Sequence, residues 1–374
     1  MCKIWGWRGI NTVAITKRLY FLDNLRVAVT ILLIAHHVGQ AYGPTGGWWP
    51  IQEAARASVL GPFFTVNRSF FMSLFFMISG YFTVMSCDAK GPGAFMKSRL
   101  LRLGIPVLIF ALVMLPMQIF VFKTQGTDGG SSAWPIEVGH LWFLEHLLIF
   151  SGCYALWHVL RQALEKNRAD KGQWQLNPPG FLSILVFVPV LAFFSALVRI
   201  WYPIDRWVYL LGFIRVAFAD VPRDLSFFII GVAAYRRQWL TRFPTRAGRV
   251  WLLVGTAAAL LWYVYALGLK EVIPVSGIAY GILYPSWEAL LCCGMCIGLT
   301  ILFRDKFDFQ GRLARAMTQS QYASYIFHVP IILLIQLVMV GINVAPIAKF
   351  FIVTFASVPL TFLFSYWVRK PLRL

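Results

Sequence analysis

Charge is scarce in this chain. Of its 374 residues only 13% are Asp, Glu, Lys or Arg, about half the share a soluble domain carries. Acids are rarer still, at 15. This shortage excludes a large soluble domain. A hydrophobic share of 59% and a mean hydropathy of +0.68 point to lipid as the solvent. Cysteine is sparse too. Three of the six, Cys292, Cys293 and Cys296, fall within one apolar run, which argues against a disulfide scaffold. Cys293 and Cys296 have C-x-x-C spacing, but no second pair or histidine stands nearby, so small, soft packing residues are the better reading. Met1–Tyr20 lacks a short apolar core followed by small residues, so no cleaved signal is expected there, and Trp5 and Trp7 are expected at the interface. Low-complexity linkers and a transporter-like internal repeat are also missing.

What the chain has in quantity is apolar runs of about spanning length. They fall near 22–42, 69–86, 103–122, 140–160, 181–199, 225–235, 250–268, 281–303, 322–342 and 346–368. The prediction is an all-α, polytopic membrane bundle of about ten transmembrane helices, a single domain over 1–374, its sixth span short. Val208–Ala219 is expected to lie in the interface or form a re-entrant piece. The net charge of +19 suggests nucleic acid at first sight. Sorted by loop, however, 24 Lys and Arg fall on the side of the N-terminus and 8 on the other. That is a positive-inside bias, predicting a cytoplasmic N-terminal segment (1–21), both termini cytoplasmic and a lipid bilayer rather than nucleic acid as the partner.

Arg26 and His37 lie within the first run, eleven positions apart. Eleven helical steps of about 100° make three turns plus about 20°, so the two share a face about 16 Å apart along the axis. His36 lies about 80° from the Arg26 direction. A guanidinium and an imidazole inside a span are costly and by default mark a functional interior. Glu145 and Glu288 are intramembrane acids and candidates for the same reason. Arg99 and Arg102 share a helical face at the predicted cytoplasmic surface, where phosphate binding competes with a role as membrane anchors.

Several strings then match a known pattern in order. Leu25-Arg26 followed by His37 resembles the R-x10-H signature of the acyltransferase-3 family of integral membrane acyltransferases. Phe75 to Phe82, containing Ser79-Gly80, looks like that family's second-span motif. Arg99-Leu100-Leu101-Arg102 resembles its R-x-x-R stretch. His140-Leu141-Trp142-Phe143-Leu144 is similar to the start of its fourth span, and Ser324-Tyr325-Ile326-Phe327-His328 to its penultimate one. Glu145 sits near the acid of the family's fourth span, at a shifted offset. Within the family the chain looks closest to the branch with the periplasmic glucan succinyltransferases. The resemblance implies an enzyme of a bacterial inner membrane. It would carry an acyl group, acetyl or succinyl, from cytoplasmic acyl-CoA to a hydroxyl of an extracytoplasmic glycan or related acceptor. No tightly bound cofactor or metal is implied; acyl-CoA is the donor substrate. His37 becomes the general base, Arg26 the donor-binding or orienting residue with Asp23 as its partner, Arg99 and Arg102 donor-binding residues, and Glu145 a catalytic candidate.

Each residue also has a plainer reading. A histidine in a span can bridge helices, and Arg26 can snorkel to headgroups. Ser79-Gly80 fits close helix contact better than covalent chemistry. Glu145 and Glu288 can be paired structural acids. His36, His140, His146 and His328 carry weaker signals. Trp48, Trp49, Trp142, Trp201 and Trp287 suit an interface belt first and a sugar platform second. The outer loops Gly43–Asn67, Lys123–Gly139 and Ile200–Asp224 add Trp134, Tyr202 and Trp207. A proton-coupled transporter or flippase is the alternative, since buried His, Arg and Glu also form relays. The sequence leaves oligomeric state open.

Overall fold

Backbone polar groups in hydrocarbon have only each other as partners, so long apolar runs become helices. A computed structural model of the protein bears this out for residues 18–44, 49–113, 138–165 and 177–369, which are the residues described. Cys2, Trp5, Trp7, Trp48, Lys123 and Trp134 lie outside them, as do the latter part of the third apolar run and most of the loop at 123–139.

The regular elements of the described chain are helices and one hairpin. The helices are α1 (Tyr20–Gly39), α2 (Leu60–Lys90) and α3 (Pro92–Arg99). A π turn at Leu100–Gly104 carries α3 on into residues 105–113. Then come α4 (Trp142–Glu165) and α5 (Phe181–Trp201). After the hairpin follow α6 (Val221–Arg236), the short α7 (Trp239–Arg242), α8 (Thr245–Val264), α9 (Gly277–Lys306), α10 (Arg312–Met339) and α11 (Pro346–Val368). Eight of these helices, α1, α2, α4, α5 and α8 to α11, are long and apolar enough to cross a membrane. The sixth predicted span is α6, whose 16 residues reach only about 24 Å, short of a hydrocarbon core of about 30 Å.

The stretch at Val208–Ala219, expected in the interface or as a re-entrant piece, is built as a short hairpin. Strands β1 (Val208–Leu210) and β2 (Ile214–Val216) pair antiparallel, Val208 opposite Val216 and Leu210 opposite Ile214. The turn between them needs positive φ at two successive residues, met by Leu211 at 54° and Gly212 at 78°. A 3-10 turn at Phe218–Asp220 leads into α6.

Helix α1 is central, packing against α2, α9, α10 and α11. Leu22, Leu25, Val29 and Leu33 face one buried cluster while Val27, Ile34 and Val38 face a second. Its first turn is fastened from afar: the Asp308 carboxylate accepts from Phe21 N–H, and the Asn24 amide donates to the carbonyls of Phe307 and Phe309. The α2–α6 contact is a reciprocal glycine seam. A Cβ at Gly80 would stand 2.2 Å from the Phe228 carbonyl oxygen, and one at Gly231 would stand 2.0 Å from that of Met77. Gly80 thus serves backbone approach, as its motif suggested. Gly231→Val is expected to force the helices apart and lower the yield of monodisperse protein, measured by size-exclusion chromatography.

Candidate active site

The imidazole of His37 lies in the last turn of α1, at the end of the bundle that carries the hairpin. Its partners come from α10 and the segment that follows α1. His37 Nδ1 lies 3.0 Å from the Leu33 carbonyl oxygen and 3.2 Å from His328 Nε2. His328 Nδ1 lies 2.7 Å from the Tyr325 carbonyl oxygen. Carbonyls only accept, so Nδ1 of each ring must carry its proton. His328 Nε2 is then an acceptor for His37 Nδ1–H, and the basic nitrogen of neutral His37 is Nε2. Two backbone oxygens fix the tautomers of both rings.

Proline explains why His140 joins them. Pro330 interrupts α10 and has no N–H for the carbonyl of Ile326, one turn back. His140 Nε2 donates to that oxygen at 3.0 Å, and the Tyr325 hydroxyl donates to the His140 carbonyl. The His140 and His328 ring centres are 4.8 Å apart. On the other flank Trp49 sits 5.7 Å from His37, held by an indole N–H bond of 2.7 Å to Gln336, whose amide donates to the Val38 carbonyl. A half-buried Lys349–Glu53 ion pair of 2.6 Å fastens the segment carrying Trp49 to α11.

A cavity of about 1270 Å³ opens beside these rings, with His36, His37, His140 and Tyr325 in its wall. Its far wall holds Arg68, Arg199, Asp205, Arg215, Asp220 and Arg223. Arg68, Arg199, Asp205, Asp220 and Arg223 belong to a network that joins α2, α5, α6 and α9, while the Arg215 guanidinium lies 4.3 Å over the Trp207 ring. Arg223 meets Glu288 at 2.5 Å and Arg199 meets the other oxygen of Glu288 at 2.6 Å. Arg68 bonds Asp205 and, at 3.2 Å, Asp220. Ser73 accepts from Arg223 and donates to Asp224 at 2.7 Å. Burial alone would raise the Asp220 carboxyl, but Arg68, Arg223 and Arg199 together pull it well below the usual carboxylate range. Glu288 is therefore a paired acid.

At the opposite end of the bundle Arg26 joins Arg99 and Arg102. The Arg26 guanidinium faces the Phe82 ring at 5.9 Å. Arg99 bonds the Thr83 hydroxyl at 3.2 Å, while Arg102, in the π turn, lies 4.9 Å over the Tyr322 ring. Burial first, then the charges of Arg102 and Arg26, lower Arg99 to about 10, so it stays cationic at neutral pH. Asp23 makes its direct contact with Arg18 at 2.8 Å and acts on Arg26 through its charge rather than by contact. Arg26 does not line the cavity that reaches His37. Between them the α1–α10 seam is polar: Gln321 donates to the Thr30 hydroxyl at 3.0 Å, and Ser324 follows. Glu145 stands apart from His37. Its carboxylate accepts from the Arg215 N–H at 3.1 Å, and the neighbouring His146 ring meets the Arg215 carbonyl at 3.1 Å, so both dock β2 on α4. His36 is wrapped by the Phe63, Phe64 and Phe71 rings. No group of His, Cys, Asp and Glu suited to a metal occurs among the described residues.

Comparison with known families matches residues 19–366 to an acyltransferase domain. The chain belongs to the acyltransferase-3 family. It is thus a polytopic helical membrane protein carrying an acyltransferase domain. Glucans biosynthesis protein C of Escherichia coli strains K12 and SMS-3-5 is 30% identical over 165 residues, which cover 40% of this chain and 42% of that protein. The match therefore spans less than half the length of those relatives. No solved structure matches.

For an acyltransferase the arrangement is chemically apt. One imidazole nitrogen is presented as a base, the other is braced by a second ring, and a separate cluster of guanidiniums suits the phosphates of a polyanion. His328 was underrated from sequence. The signal in His328-Val329-Pro330 is indirect: the proline frees the Ile326 carbonyl, and the His140 ring that takes it up comes to stand beside His328.

Proposed function

We propose that this acyltransferase carries an acyl group, acetyl or succinyl, from cytoplasmic acyl-CoA to a hydroxyl of an extracytoplasmic glycan in a bacterial inner membrane. The observation that carries the reading is the braced His37 ring opening on the large cavity. In this reading His37 Nε2 removes the hydroxyl proton as the oxygen attacks the thioester carbonyl. The tetrahedral intermediate collapses with cleavage of the C–S bond, and the imidazolium returns the proton to the departing CoA thiolate. His328 Nε2 accepts from His37 Nδ1–H throughout, so the transient imidazolium keeps its orientation. Positive-inside sorting assigns the Arg99–Arg102 end to the cytoplasm. There Arg26, Arg99 and Arg102 bind the phosphates of CoA, far from the thioester at the tip of its arm. The about 16 Å between Arg26 and His37 along α1 accommodates that separation. The polar seam at Thr30, Gln321 and Ser324 is the route of the arm. Glu145 acts through the hairpin it fastens rather than by touching the reacting atoms. Glycan as acceptor rests on the resemblance to the glucans protein and on the aromatic, hydrogen-bonding cavity.

The test is direct. Purified protein in detergent, given labelled acyl-CoA, is expected to release thiol and modify a glycan acceptor; a carrier does neither. Mass spectrometry of cell-envelope glycans with and without the protein identifies both acyl group and acceptor. Arg99→Ala and Arg102→Ala are each expected to raise KM for acyl-CoA about tenfold, with kcat little changed, because each removes charge from ground-state and transition-state binding alike. A fall in kcat at unchanged KM would move these residues out of donor binding.

A further inference from the structure

Most of the buried charge network in the far cavity wall is saturated, but two members are not. Arg199, from α5, spends only Nη2 on Glu288; its side chain is nine-tenths buried, and its Nε and Nη1 have no hydrogen-bond partner. Asp220 Oδ1, in the 3-10 turn before α6, accepts no hydrogen bond either, although Arg223 Nη2 approaches to 3.3 Å and Arg199 Nη2 to 3.7 Å. Buried polar atoms are normally paired, so two donors and an acceptor left over side by side call for a reason. Both residues line the cavity that also reaches His37. Next to them stand the rings of Tyr280 and Tyr284, 5.2 Å apart and nearly parallel, and the Arg199 guanidinium lies 5.5 Å over Tyr284. Tyr280 keeps 39% of its surface exposed.

The chemistry that uses such a wall is a neutral polyol. The guanidiniums of Arg68, Arg199, Arg215 and Arg223 are matched in number by the carboxylates of Asp205, Asp220, Asp224 and Glu288, so the wall has no excess charge with which to select an anion. A sugar hydroxyl donates and accepts at once, which answers an orphaned donor and an orphaned acceptor together. The apolar face of a pyranose ring suits the flat face of a tyrosine. The cavity, at about 1270 Å³, exceeds the usual 300–1,000 Å³ or so of a small-molecule pocket, leaving room for more than one sugar unit.

We infer that Arg199 and Asp220, with Tyr280 beside them, form a sugar subsite that holds a unit of the acceptor neighbouring the one presented to His37. The inference rests on the glycan-acyltransferase reading above and goes further by selecting acceptors of two or more units. It is tested by saturation-transfer NMR on the detergent-solubilised protein, titrating glucose and linear glucose oligosaccharides of two to five units. The oligosaccharides are expected to bind more tightly than glucose. Arg199→Gln and Tyr280→Ala are each expected to weaken oligosaccharide binding about tenfold or more. Should Arg199→Gln fail to fold, Tyr280→Ala decides alone. Oligosaccharide binding equal to glucose binding, or unchanged in Tyr280→Ala, overturns the subsite. If the unaltered protein transfers acyl groups yet binds no oligosaccharide, the subsite falls and the function stands. If it binds them through Arg199 and Tyr280 but releases no thiol, the subsite stands and the function falls.

Discussion

Replacing His37 with alanine is expected to lower acyl transfer by roughly 10²–10⁴-fold, the usual contribution of a positioned general base. The loss belongs in kcat, because the ring acts on the hydroxyl proton only as the carbon–oxygen bond forms, and not while donor or acceptor merely sits in place. Folding is not expected to suffer comparably. His37 is in the last turn of α1, and the helix is anchored at its other end by Asp308 and Asn24 and along its length by Leu22, Leu25, Val29 and Leu33. Truncation also leaves His328 Nε2 without its donor, a modest cost that a small water can offset. The measurement is thiol release from labelled acyl-CoA, with elution volume and melting temperature as controls. A monodisperse His37→Ala protein that still releases thiol at the original rate would remove His37 from the chemistry.

Much of the scaffold was readable because the bilayer leaves few choices. Runs such as 281–303 and 346–368 had to be helical, since hydrocarbon offers no other partner for their backbone groups. Legibility failed where that constraint lapses. Helix α6 is too short to span, and its first turn carries Arg223 and Asp224, tolerable only because Glu288 and Ser73 arrive from α9 and α2 to meet them. The hairpin at Val208–Val216 is fixed by two residues with positive φ and by the Glu145 carboxylate on a distant helix, neither of which a run of apolar letters reveals.

The site was legible along one helix and obscure between helices. Periodicity alone aligned Arg26 with His37 and set His36 aside. Which residues would meet that face depended on packing: Phe82 near one end, His328 and Gln336 near the other, the last two contacting α1 across almost 300 positions of sequence. Asp23 illustrates the limit. Proximity in sequence favours Arg26 as its partner, but the direct contact goes to Arg18, and the Asp23 charge reaches Arg26 from further off.

His328 is where the two kinds of information converge, and its replacement carries the second large expected effect. The ring accepts from His37 Nδ1–H at 3.2 Å while its own Nδ1–H is committed to the Tyr325 carbonyl at 2.7 Å. It touches neither donor nor acceptor in the proposed reaction, so it is a positioning residue. Alanine removes the acceptor, leaves His37 Nδ1–H to the Leu33 carbonyl, and frees the base ring to turn away from the hydroxyl. The expected result is a fall in kcat of roughly 10–100-fold, smaller than for His37 because the base survives, with little change in KM for acyl-CoA. Glutamine separates this role from packing. Its amide oxygen reaches about as far as Nε2 and accepts from His37, but its amide nitrogen does not reproduce the bond to Tyr325. His328→Gln is therefore expected to recover much of kcat, while His328→Leu, closer in volume to histidine than alanine is, recovers none. If leucine restored activity as well as glutamine did, His328 would be a spacer in the α10 wall, and the orientation of His37 would have to come from its other neighbours, among them the Leu33 carbonyl and the Trp49 ring.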